Sequence, residues 1–236
     1  MNHYDLHQTL NHVADARPDD RARFISRTYA HLAGAVLAFM VVEMALLRSP
    51  VAGWMLQLLG MGNMAWLVVL GVFMGVTWFA QRLANNSASI GTQYAGLGLY
   101  VLAEALIFVP ILMVATRHGG PNTVATAAAI TATLFLGLTV VAFTTRTDFH
   151  FLGAILKIGG FVALGFIGAS MLFGFSLGLL FASVMVVFAA GAILYETSNI
   201  MFRYGPNQYV AASLSLFASV MLLFWYVLRI LMGRRD

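Results

Sequence analysis

Apolar positions run along this chain in seven long blocks, each bounded by a short polar or turn-forming segment. The blocks extend from about Thr28 to Leu47, Asn63 to Gln81, Gly91 to Thr116, Pro121 to Thr145, His150 to Phe173, Ser176 to Asn199 and Gln208 to Met232. A helix needs about 20 such residues to cross the hydrocarbon core of a bilayer. The interruptions are helix-stopping sequences: Ser49-Pro50, Asn85-Asn86-Ser87, His118-Gly119-Gly120-Pro121 and Tyr204-Gly205-Pro206-Asn207. The pattern predicts an all-α membrane protein, a bundle of seven transmembrane helices whose short connections make consecutive helices antiparallel neighbours. Residues 51–62 are apolar but too few to span, and predict an interfacial segment. Small residues at Ala125, Ala128, Ala129 and Ala132 in the fourth block, and at Gly159, Gly160, Gly165, Gly168 and Ala169 in the fifth, predict faces for close helix packing.

A polar tail, residues 1–26, precedes the transmembrane domain, residues 27–236. The tail lacks the apolar core of a signal peptide, so the first block is read as an uncleaved anchor. Composition agrees: 61% of residues are hydrophobic and 9% charged, against roughly 25% charged in soluble domains. With no cysteine, disulfides and thiolate chemistry are excluded. The net charge of +4 does not indicate nucleic acid, because the 13 basic residues are dispersed at block ends. They set topology instead. With the amino terminus inside, Arg17, Arg21, Arg23, Arg27, Arg82, Arg146, Lys157 and Arg203 fall on the cytoplasmic side, against Arg48, Arg117, Arg229, Arg234 and Arg235 on the other. The excess places the amino terminus in the cytoplasm and the carboxyl terminus outside.

Ionisable groups inside the blocks are costly and therefore mark functional positions. They are Glu43, Glu104, Glu196 and Arg229, with Lys157 near enough to a block end to snorkel. At a rise of about 1.5 Å per residue, Glu196 lies about 10 Å from the cytoplasmic face, Ser219 about 16 Å, Glu104 about 20 Å, Glu43 about 24 Å and Arg229 about 30 Å. The set forms a sparse polar ladder across the bilayer. Arg229 and Glu43, in the same half of the membrane, are expected to form a structural ion pair, with Glu104 the second candidate partner. Enzyme signatures are incomplete. No His-Glu-x-x-His pair occurs, Gly168-Ala169-Ser170 runs into Met171 rather than a Gly-x-Ser-x-Gly turn, and Gly96-Leu97-Gly98 lies inside a span. His3, His7 and His12 in the tail are too loosely spaced to specify a metal. The reading is a non-enzymatic protein with no cofactor.

Four strings resemble the Bax inhibitor family. They are Thr144-Thr145-Arg146-Thr147-Asp148-Phe149-His150, Gln93-Tyr94-Ala95-Gly96-Leu97-Gly98-Leu99-Tyr100 followed by Glu104, Tyr195-Glu196-Thr197-Ser198-Asn199-Ile200, and the run from Tyr209 to Leu231. The resemblance covers essentially residues 27–232 and is nearest to the bacterial YccA-type branch, whose named role is modulation of the membrane-anchored FtsH protease. It implies a seven-helix bundle with the last helix central, located in a bacterial inner membrane. As partners it implies the FtsH-type protease and its associated membrane proteins.

In the calcium-leak branch of the family, two aspartates on the sixth and seventh helices gate a pore. Glu196 occupies the first of those positions here and Ser219 the second. One carboxylate facing a hydroxyl lacks the mutual repulsion of a proton-sensing pair and offers a divalent cation few oxygen ligands. The resemblance thus favours the protease modulator. It leaves open a pH-sensitive calcium, cation or proton leak through Glu196, Ser219, Glu104 and Lys157. Glu196 and Ser219 are expected to face each other, with Lys157 placed to pair with Glu196.

Overall fold

A computed structural model of the chain describes residues 17–86, 89–120 and 122–233, with Leu59 by its backbone alone. They form eight helices: α1 (Pro18–Leu47), α2 (Pro50–Gly60), α3 (Asn63–Ala84), α4 (Ile90–His118), α5 (Thr123–Thr145), α6 (Leu152–Phe173), α7 (Gly178–Phe202) and α8 (Tyr209–Gly233). A 3₁₀ turn at Phe149–Phe151 leads into α6. Seven of these helices are long and apolar enough to cross a membrane. The eighth, α2, fills the segment expected at the interface, with Trp54 turned outward.

The first helix starts about ten residues before its apolar block. Pro18 at its amino end supplies a preset φ, and Asp19 and Asp20 sit where the helix dipole favours acidic groups. Residues 18–26 of the expected tail therefore extend α1. The remainder, residues 1–16 with His3, His7 and His12, lies outside the described residues. Phe24, Thr28, Leu32, Ala35, Phe39 and Glu43 are the buried positions of α1, spaced by three or four. That spacing makes one inward stripe.

Buried aromatic rings join α1, α4 and α8. Phe39 meets Phe108 at 5.3 Å and Phe217 at 6.3 Å between ring centroids, while Phe108 stacks on Phe224 at 5.5 Å and meets Trp225 edge-on at 5.0 Å. The last helix is central as expected, packed by α1, α3, α4, α5 and α7. Helix α4 shares that position and is the more enclosed of the two. Near the start of α4, His31 Nε2 of α1 lies 2.7 Å from the Tyr94 hydroxyl.

The small-residue runs mark close approach only in part: a Cβ at Gly159 of α6 would stand 3.0 Å from the Phe188 ring of α7, and one at Gly160 3.8 Å from it. Ala125, Ala128, Ala129 and Ala132 are exposed, whereas Thr123, Ala127 and Thr131 face inward. Each set follows helical spacing, so alanine content alone could not choose between the two faces. Gly165 and Gly168 border open space. The tightest contact against backbone of another helix is Gly96 of α4 on α3, where a Cβ would stand 2.5 Å from the Ala80 carbonyl oxygen and the Ala84 nitrogen.

Candidate functional site

Polar groups gather at two places, joined along α8. The first lies where α7 ends and α8 begins. Glu196, in the penultimate turn of α7, accepts at Oε2 from Asn199 Nδ2 and from the Tyr204 hydroxyl, each at 3.5 Å. Tyr204 Oη also lies 3.2 Å from Ser215 Oγ on α8. Its single proton serves one acceptor at a time, so the phenol stands between carboxylate and serine. Burial, and then the neighbouring Glu196 carboxylate, push the Tyr204 phenol well up, which keeps it a donor.

A second layer closes this end from outside. Arg203 Nη2 binds Asp148 Oδ2 at 2.9 Å, tying the α5–α6 connection to the end of α7. Asp148 Oδ1 accepts from the His150 amide at 3.0 Å and from Ser198 Oγ at 3.4 Å, and Ser198 Oγ accepts from the Phe149 amide at 3.0 Å. Partial desolvation works against the Asp148 carboxylate. The His150 amide and the Arg203 guanidinium outweigh it and hold the carboxyl below its ordinary range.

The second place is a cavity of about 750 Å³ among α3, α4, α6, α7 and α8, in the half of the bundle where α8 ends. Glu104, Tyr100 and Ser219 line its inner end, and Arg229 its outer end. Glu104 and Ser219 are both buried. Ser219 Oγ donates to the Ser215 carbonyl one turn back, at 3.2 Å. A smaller cavity of about 530 Å³ adjoins it, sharing Arg229, Gly178 and Ala182 and adding His118.

The six expected site residues are thus divided. Glu104, Ser219 and Arg229 share the cavity, and Glu196 belongs to the other cluster. The hydroxyl linked to Glu196 is Ser215, reached through Tyr204, rather than Ser219. Depth counting is in line with this: Ser215, four residues before Ser219, lies about 6 Å nearer the start of α8 and so at about the depth of Glu196.

Lys157 is exposed and makes no ion pair with Glu196 among the described residues. The Arg229–Glu43 pair is also not formed. Glu43 is 4% exposed with neither carboxylate oxygen hydrogen-bonded among the described residues. The reason is angular. Phe217 faces Phe39 on α1, and Arg229, twelve residues later, lies about 120° around α8 from it. Counting residues put the two charges in the same half of the membrane, but rotation put them on different sides. Sequence reasoning missed Tyr204 and Ser215 and the Asp148–Arg203 pair. Tyr204 was legible only as part of a helix-breaking run.

A family model described as "inhibitor of apoptosis-promoting Bax1" matches residues 21–236. An uncharacterized protein of Pseudomonas aeruginosa is 34% identical over 167 residues, 69% of this chain and 72% of that protein. The "modulator of FtsH protease YccA" of Escherichia coli K12 is 32% identical over 168 residues, 70% of this chain and 73% of the relative. Protein lifeguard 4 of the mouse is 33% identical over 109 residues, 43% of each chain.

Proposed function

The chain belongs to the Bax inhibitor family, and from that membership we propose that it binds and modulates a membrane-anchored protease complex of the FtsH type, with no catalytic step of its own. The observation that carries the proposal is the similarity to YccA across more than two thirds of both chains, since that relative is named as a modulator of this protease. The cluster at the end of α7 is consistent with it. The described partners of Glu196 are an amide and a phenol, both neutral, and Ser219 is turned to its own backbone. Such a set is a poor cage for a divalent cation, which takes six to eight oxygen ligands, carboxylates prominent among them.

In this reading the protein lies in a bacterial inner membrane with its amino terminus in the cytoplasm. The aromatic core of α1, α4 and α8 resists extraction, and residues 1–16 give the protease an engageable end. The bundle then occupies the enzyme while extraction stalls.

Affinity capture of the tagged full chain from membranes tests this directly. FtsH should co-purify, and raised levels of the chain should lengthen the half-life of another FtsH substrate. Removing residues 2–16 should leave thermal stability unchanged and lengthen the half-life of the chain itself. Absence of the protease from the captured material, with unaltered turnover of its substrates, would refute the reading.

A second reading, a pH-sensitive leak for calcium, another cation or protons, has one observation in its favour. The series Glu196, Tyr204, Ser215, Ser219 continues along α8 to the cavity lined by Glu104 and Arg229. Flux through purified protein in liposomes, abolished by Glu196→Gln, would put this reading first.

A further inference from the structure

The cavity on the face where α8 ends holds one full charge at its mouth and apolar walls behind it. Arg229 lines both the 750 Å³ cavity and its 530 Å³ neighbour, and makes no ion pair among the described residues. His118 and the first residues of α7, Gly178 and Leu179, line the smaller cavity beside it. No side chain caps that end of α7, so its first N–H groups add a positive end to the same place. Behind Arg229 the larger cavity is walled by Leu222, Trp225 and Tyr226 of α8 and by residues of α4 and α6, among them Phe108 and Leu164. Its volume falls in the range of about 300–1,000 Å³ that takes an elongated small ligand.

The length of this space matches one molecule class. Ser219, at the inner end, precedes Arg229 by ten residues, a rise of about 15 Å. One leaflet of a bilayer has about the same thickness, half of the ~30 Å hydrocarbon core. Buried polar groups, Glu104 and Ser219, stop the apolar stretch at that depth. Arg229 itself lies four residues from the end of α8, at headgroup level.

We propose that the two cavities together hold one anionic phospholipid from the leaflet on the side where α8 ends. Its phosphate sits at Arg229, His118 and the start of α7, and one acyl chain lies along α8 down to Ser219. The positive charge that finds no carboxylate partner within the described chain is met by the lipid phosphate. The site is distinct from the Glu196 cluster and independent of whether the protein modulates a protease.

The test is native mass spectrometry of the full chain in detergent, titrated separately with phosphatidylglycerol and phosphatidylcholine. Wild type should retain one phosphatidylglycerol with at least tenfold preference over phosphatidylcholine. Arg229→Gln should abolish that preference. Leu164→Trp, at a partly exposed cavity wall where a larger ring leaves the core undisturbed, should reduce retention of both lipids. Each variant's melting temperature in lipid-free detergent reports folding separately. An equal preference in wild type and Arg229→Gln, or retention unaltered by Leu164→Trp in a folded protein, would overturn the proposal.

Discussion

Replacing Gly96 by alanine adds one methyl group where two helices touch. That methyl would lie 2.5 Å from the Ala80 carbonyl oxygen, 2.5 Å from the Ala84 nitrogen and 3.0 Å from the Ala84 Cα. All three are backbone atoms, so no side-chain rotation relieves the overlap and α3 must move away from α4. Overpacking of this kind costs about 1–3 kcal/mol. For a chain of this size each kcal/mol shifts the melting temperature by about 2–4 °C, giving an expected fall of about 2–12 °C.

Gly71→Ala is the control. Nothing lies within 4 Å of a Cβ at Gly71, and alanine is the better helix former by about 0.8–1 kcal/mol in water. Its melting temperature should equal or exceed that of wild type. Adding Ala84→Gly to Gly96→Ala should not restore stability, because the obstruction is main chain. Intrinsic tryptophan fluorescence during heating, in one detergent, measures all four proteins. Equal stability of Gly96→Ala and wild type, or equal losses at Gly71 and Gly96, would refute the packing argument.

Tyr204→Phe removes the link between Glu196 and Ser215 and should cost about 0.5–1.5 kcal/mol in thermal or denaturant unfolding, the usual net worth of a hydrogen bond. Asp148→Asn tests the outer layer. The folded carboxyl is held low, so its contribution is complete above the ordinary carboxylate value of ~3.9 and fades as pH falls through the folded value. Both side chains of the Asp148–Arg203 pair are about half exposed, which limits the ion pair itself to about 1 kcal/mol or less. Melting curves between about pH 6 and pH 3 should therefore show a shallower acid decline in the variant, and parallel curves would count against the pairing. Ser215→Asp should create a two-carboxylate site with Glu196 and introduce pH-dependent cation flux in liposomes, while Ser219→Asp should not. The opposite order would return Ser219 to the Glu196 site. A reporter fused after residue 236 should be active only on the periplasmic side, and cytoplasmic activity would reverse the topology.

Span number and limits were legible because a bilayer imposes one length on every crossing segment, and because Ser49-Pro50 and Tyr204-Gly205-Pro206 stop helices for local reasons. Depth was legible too, since it follows from counting residues along a helix. Rotation was not. Whether Arg229 meets α1 depends on the azimuth of α8, which neighbouring side chains decide, whereas Ser215 and Ser219 share a face and differ in depth by about 6 Å. In a helix apolar on every side, no hydrophobic stripe reveals that azimuth, as the alanines of α5 also demonstrate. The start of α1 was misplaced for a different reason. Charge at Asp19, Asp20, Arg21 and Arg23 ends a membrane block but not a helix, and Pro18 with the acidic pair is a helix start in its own right.

The central position of α8 has a consequence for biogenesis. It is synthesised after the other six spans, yet it supplies the surface against which α1 and α4 set Phe39 and Phe108. A nascent chain that has inserted α1 through α7 surrounds a gap, which lipid must occupy until Tyr209–Gly233 arrives. The Asp148–Arg203 tie, by contrast, can already close at that stage, because both of its residues precede α8. Assembly thus fastens one end of the bundle before its middle is filled, and the final helix enters a cage already latched on the side from which it begins.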